Sequence, residues 1–207
     1  MWYPILIAAL TAYLLGNLNG AVCISSLVAN DDVRSHGSGN AGLTNFIRNY
    51  GLGGALLVIA IDVGKTAFAC LAGGLILSPY GYYEEGLMLG AVAVSIGHDF
   101  PALLGFRGGK GILCGLTVAA VVDWRIAVLI LIVFFAAYLL TQYVSLGSVL
   151  ASVTFGICFA VLHHDNLLVM CGGIFITLLA LFMHRSNIVR LCKGTESKTN
   201  LLKGKKS

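Results

Sequence analysis

Long uncharged runs alternate with short polar stretches along this chain, and their spacing sets the architecture. Residues 1–30 contain no Asp, Glu, Lys or Arg, and the runs 49–83, 86–98, 111–122, 126–164 and 166–184 are uncharged or nearly so. A helix that crosses a hydrocarbon core of about 30 Å needs roughly 20 apolar residues. The pattern predicts spans near 2–27, 52–77, 86–104, 110–122, 126–141, 147–163 and 166–184. The expected fold is an all-α polytopic membrane helix bundle with seven transmembrane helices. The fourth span is short unless it borrows from GGKGI. Joining 111–141 into one helix is the alternative, but at about 1.5 Å per residue it would overshoot the core and bury Asp123 and Arg125.

Composition supports the membrane reading. Only 11% of the 207 residues are charged while 58% are hydrophobic, and mean hydropathy is +0.90, too little polarity to cover a soluble globule. The opening MWYPIL has neither a basic lead nor a small-residue cleavage signal and reads as a retained span. The six cysteines form no CxxC pair. Cys23, Cys70, Cys114, Cys158 and Cys171 sit in apolar runs and are expected to be core fillers rather than metal ligands or disulfides.

Charge then orients the bundle. Seven spans put every basic residue except Arg125 and the intramembrane Lys65 on one face, which places the N-terminus outside and the C-terminus in the cytoplasm. The acids Glu84, Glu85, Asp123 and Asp165 fall in the outer turns. Residues 1–198 form one membrane domain, and 199–207 read as a basic, flexible tail whose KGKK suits topology and anionic lipid.

The cytoplasmic face collects the unusual chemistry: SHGSGNAGLTNFIR (35–48), GHDFPALLGFRGGKG (97–111), TQYVSLGS (141–148) and HRSNIVRLCKGTESK (184–198). Gly37, Gly39 and Gly42, with Ser38 and Asn40, suit an amide nest for an anion beside a helix start. A helix beginning near Leu43 would put Thr44 and Arg48 one turn apart, able to reach one phosphate. Gly108, Gly109 and Gly111 free the backbone around Lys110, a second point charge. Either loop alone reads equally well as a flexible turn; together they favour phosphorylated substrates. Asp62 and Lys65, three residues apart inside a span, would each cost roughly 2.5–3.5 kcal/mol unpaired, so they are expected to pair toward the interior and fix packing or support a cavity. The local GKT is no Walker A loop, because Ile59 stands where that motif needs glycine.

The sequence resembles the bacterial acyl-phosphate:glycerol-3-phosphate acyltransferase family. GSGNAGLTNFIR and GHDFPALLGFRGGKG meet that family's signatures in full, and YVSLGS and HRSNIVRL are similar to its later elements. Two positions depart: Thr66 stands where the DxxKG element has glycine, and GNLNG (16–20) where the family commonly has a GSIP-like sequence. The resemblance implies transfer of an acyl group from acyl phosphate to the 1-hydroxyl of glycerol 3-phosphate at the bacterial plasma membrane, giving lysophosphatidic acid and inorganic phosphate for phospholipid synthesis. It implies no cofactor, metal or nucleic acid, and a link to a phosphate acyltransferase that supplies the donor. It assigns Ser38, Lys110 and His184 to catalysis, and Asn40, Thr44, Asn45, Arg48, Ser145 and Asn187 to substrate binding; the nest reading adds Gly37, Gly39, Gly108 and Gly109, His98 joins them, and Asp62 and Lys65 support the cavity. His184 and His98 are both candidate bases by type, and a substrate phosphate is a third. No HxxxxD motif occurs. A transporter would also use glycine breaks and cations, but with corresponding interruptions in two repeated halves, and no such repeat is present; a structural subunit would leave the polar segments idle.

Overall fold

The structure, a computed structural model, describes residues 2–198, so the expected tail at 199–207 lies outside the described residues. Among those described there is no strand and there are ten α-helices: α1 Trp2–Gly16, α2 Gly20–Ala29, α3 Leu43–Tyr50, α4 Ala55–Leu77, α5 Tyr83–Asp99, α6 Ile112–Val122, α7 Trp124–Thr141, α8 Val144–Leu162, α9 Leu167–Met183 and α10 Arg185–Cys192. Five stretches are long and apolar enough to cross a membrane, and a sixth if α9 and α10, bent by 58° at His184, count together. At 11 residues, α6 rises about 16 Å, half the hydrocarbon thickness. The chain is a multi-pass, all-helical integral membrane protein.

The first span is broken. Asn17, Leu18 and Asn19 separate α1 from α2, and the Asn19 side chain caps α2 by accepting from Val22 N at 3.0 Å. Orphaned backbone groups at membrane depth need internal partners, and the α4 pair supplies them. Lys65 Nζ donates to Gly16 O at 3.3 Å and to Leu18 O, while Asp62 Oδ1 accepts from Gly20 N at 3.1 Å. Thr66 is fully buried and donates to Asp62 O at 2.7 Å. Its hydroxyl is satisfied within its own helix, so this departure from the family's glycine is accommodated.

Elsewhere the elements follow from packing and caps. A Cβ on Gly73 of α4 would stand 2.2 Å from Gly86 O of α5; absence of that atom lets the backbones approach, as membrane helices do in place of hydrophobic drive. At Asp123 the backbone turns extended and its side chain accepts from Arg125 N at 3.0 Å, which separates α6 from α7. Val118, Ile126, Phe155, Phe159, Val169 and Ile176 form the largest core, between α6 and α9. Cys70 and Cys114 are buried as expected, whereas Cys171 is exposed on α9 and faces away from the core because its helical position lies on the outer surface.

Candidate functional site

Asn45 organises the first glycine-rich loop. Its amide donates to Val33 O at 3.0 Å, His36 O at 3.1 Å and Asn40 O at 3.0 Å, and its Oδ1 accepts from Ser38 N at 3.1 Å. Gly37 and Gly39 have φ of 56° and 69°, the left-handed region this tight path requires. Asn19 Nδ2 ties the loop to the broken span through Ala41 O at 2.9 Å. The helix that follows starts at Leu43, where Gly42 brings no capping side chain, so its first amides lack intrahelical partners. Thr44 and Arg48 lie one turn apart on it.

The second loop is pinned from three directions. Arg34, paired with Asp32 at 2.7 Å, donates to Leu104 O at 2.7 Å and Arg107 O at 3.2 Å, clipping the two loops together. Leu103 N donates to Asn17 Oδ1 at 2.9 Å. Gly108 N and Gly109 N donate to Asp99 O at 3.2 Å and His98 O at 3.1 Å. A Cβ on Gly109 would fall 2.1 Å from His98 Nε2, so only glycine leaves room for that ring. Lys110 emerges from this hold just before α6, whose start at Gly111 is also uncapped.

The C-terminal elements close the ring. Lys110 Nζ donates to Asn187 Oδ1 at 2.5 Å. Asn187 Nδ2 donates to Glu196 Oε1 at 2.9 Å, and Arg190 Nε to Glu196 Oε2 at 2.6 Å. Burial, then the charges of Arg190, Arg48 and Arg185, pull the Lys110 amine down to about 8, opposed by Glu196. Burial works against the Glu196 carboxylate, but hydrogen bonds from Asn187 and Arg190 hold it below its usual range.

These groups line one cavity of about 730 Å³. Of the sequence candidates, Gly37, Ser38, Asn40, Thr44, Asn45, Arg48, Asp62, His98, Lys110, Ser145, His184 and Asn187 border it; Gly39, Gly108, Gly109 and Lys65 do not. Gly39, Gly108 and Gly109 stand behind that lining, with their amides donating to the His36, Asp99 and His98 carbonyls. Arg190 and Glu196 also border it and were missed by sequence reasoning. Arg190 lies within HRSNIVRL, and no local pattern marks Glu196 as an acid that joins a basic cup. The starts of α3, α6 and α8, all lacking side-chain caps, meet the cavity through Leu43, Ile112 and Val144. Helix starts carry partial positive charge and favour anions.

Hydrogen bonding separates the two histidines. His184 Nδ1 lies 2.8 Å from Ala180 O; a carbonyl only accepts, so Nδ1 carries the proton and Nε2 of the neutral ring keeps its lone pair. His98 Nδ1 lies 2.8 Å from the Lys65 ammonium and accepts from it, which leaves Nε2–H as a donor. His184 can take a proton; His98 can give a hydrogen bond.

Fold and site define a multi-pass membrane enzyme with an interior cavity bordered by Arg48, Lys110 and Arg190. The glycerol-3-phosphate acyltransferase family profile matches residues 6–194, and the chain belongs to that family and is an acyltransferase. The glycerol-3-phosphate acyltransferase of Thermoanaerobacter sp. (strain X514) is 39% identical over 192 residues, covering 93% of this chain and 94% of the relative. That of Clostridioides difficile (strain 630) is 36% identical over 202 residues, covering 95% and 96%. Crystal structures of PlsY (YgiH), an integral membrane glycerol 3-phosphate acyltransferase, are similar throughout. The glycerol 3-phosphate form has a TM-score of 0.85 at 31% identity and covers 96% of each chain; the lysophosphatidic acid form has 0.81 at 30%.

Proposed function

We propose that this enzyme transfers an acyl group from an acyl phosphate to the 1-hydroxyl of glycerol 3-phosphate, releasing inorganic phosphate and 1-acylglycerol 3-phosphate. The observation that carries this reading is a single cavity lined by both Arg48 and Lys110 and continuing from a polar cup into an apolar limb. Such a space suits two anionic heads, one bearing a hydrocarbon tail. A mixed anhydride is already activated, so the protein needs only to orient and stabilise charge. The starts of α3 and α6, with Thr44 and Arg48, hold phosphate; Ser38, Asn40 and Ser145 complete the wall. Lys110 stands between donor and acceptor and stabilises the departing phosphate and the developing oxyanion, an effect worth about 3–4 kcal/mol per well-placed donor. His184 Nε2 accepts the proton of the attacking hydroxyl.

The cup faces the cytoplasm of the bacterial plasma membrane, with the N-terminus outside and α6 serving as the short fourth of seven spans; the basic residues gathered around it support that orientation. Its acyl phosphate comes from a phosphate acyltransferase. Purified protein in detergent tests the reading: acyl phosphate should yield inorganic phosphate only after glycerol 3-phosphate is added. Release that ignores the acceptor, or none at all, would refute it.

A further inference from the structure

Below Ser145 the cavity is bordered by uncharged side chains, Ser148, Ala151, Ser152 and Phe155 of α8 and Ile176 and Thr177 of α9. Three hydroxyls face this limb, and each donates to the carbonyl one turn back in its own helix: Ser148 to Val144 O at 3.0 Å, Ser152 to Ser148 O at 2.8 Å and Thr177 to Gly173 O at 3.0 Å. Their protons are therefore committed, and they offer a ligand no donor. The limb ends where lining and core coincide. Ile130, Phe155 and Ile176 border the cavity and also belong to the continuous buried core, at 6%, 3% and 5% exposure. Beyond Phe155 the ring of Phe159, wholly buried, packs at 4.6 Å. Two helices give similar depths for this end. Phe155 lies about 15 Å along α8 from Ser145, and Ile176 about 12 Å along α9 from His184.

We propose that Phe155, Ile176 and Ile130 form a floor that sets the longest acyl chain this enzyme accepts. The inference rests on the donor assignment above, with the phosphate head in the cup and the tail down the limb. A tail that reaches the floor has two courses: displace packed core, or turn out past the exposed Leu131 and Phe135 of α7. Close packing makes the first costly, and the second exposes the tail to the surrounding lipid instead of the fitted wall. Ala151 is one turn nearer the cup on the same face of α8, so enlarging it raises the floor.

The test is kcat/KM of the purified enzyme across straight-chain acyl phosphates from decanoyl to octadecanoyl. Wild type should show a cutoff. Phe155→Ala should move it to longer chains, gaining about tenfold or more on the first chain that wild type rejects, and Ala151→Phe should move it to shorter ones, with KM for glycerol 3-phosphate unchanged in both. Should Phe155→Ala fail to fold, Phe155→Leu with Ala151→Phe carries the same comparison. A wild type without a cutoff, or identical profiles in folded variants, overturns the floor. If wild type consumes no acyl phosphate of any length, the donor assignment has failed instead. The floor is then read from binding of lysophosphatidic acids of the same lengths: Phe155→Ala must bind the longest member more tightly, and equal binding overturns it.

Discussion

Lys65 Nζ lies 2.8 Å from Asp62 Oδ1, and the two side chains satisfy opposite sides of the break in the first span: the lysine holds the carbonyl end of α1, the aspartate the amide start of α2. The pair is thus the brace that keeps two asparagines, Asn17 and Asn19, where they anchor the glycine-rich loops.

Removing one member of that brace should cost stability first. Asp62→Asn strips the charge partner from a buried ammonium, and breaking such pairs costs about 3–5 kcal/mol. The expected result in detergent is a clear fall in melting temperature for Asp62→Asn, and a comparable fall for Lys65→Met. An unchanged melting temperature with lost turnover would move Asp62 from brace to chemistry.

Asn19 links the break to the first loop and caps α2 at the same time. Asn19→Ala should lose about 1 kcal/mol for the cap, and, because Ala41 O loses its tie, KM for glycerol 3-phosphate should rise more than kcat falls. A variant with altered melting temperature and unaltered KM would restrict Asn19 to capping.

The depressed Lys110 amine gives a pH signature. Its value near 8, against 10.5 ordinarily, means the ammonium is present below that pH and is lost above it. A cation needed for anion binding should therefore make kcat/KM, which reports the free enzyme, decline above about pH 8. Lys110→Arg, whatever its rate, should lack this limb. A profile flat into the ordinary lysine range, or a limb that survives in Lys110→Arg, would assign the titration elsewhere.

Much of this architecture was legible in the chain. The uncharged runs located the apolar helices; the two glycine-rich signatures contain Arg48 and Lys110 and the HRSNIVRL element contains His184 and Asn187, and all four border one cavity. The break at 17–19 was harder to read, since two asparagines in an otherwise greasy run carry no charge to interrupt the hydropathy. What distinguishes them is hydrogen bonding to Leu103 and Ala41, across distances in sequence that no local pattern encodes. Glu196 was hidden for the opposite reason: an acid in a basic C-terminal segment reads as surface, and only the structure shows it half-buried and hydrogen-bonded to Asn187 and Arg190. Glycine in a loop suggests open amides, but at Gly39, Gly108 and Gly109 the amides donate to the His36, Asp99 and His98 carbonyls, pairings that no local pattern encodes.

The tautomers of the two histidines make separable demands. His184→Ala should reduce kcat by about 100-fold or more, the range of a lost general base, with KM for glycerol 3-phosphate little changed. His98→Ala, which removes an acceptor from Lys65, should lower the melting temperature as well. Near-normal kcat in His184→Ala would leave a substrate phosphate as the proton acceptor.

The most direct measurement of the central claim, that one cationic cup handles both phosphorylated substrates, is glycerol-3-phosphate-dependent phosphate release by Lys110→Ala beside wild type, with melting temperature as the control for folding. A folded variant slowed by about 100-fold or more is the expected result, the loss typical of a missing charge-stabilising donor. Turnover close to wild type in that folded variant would contradict the account.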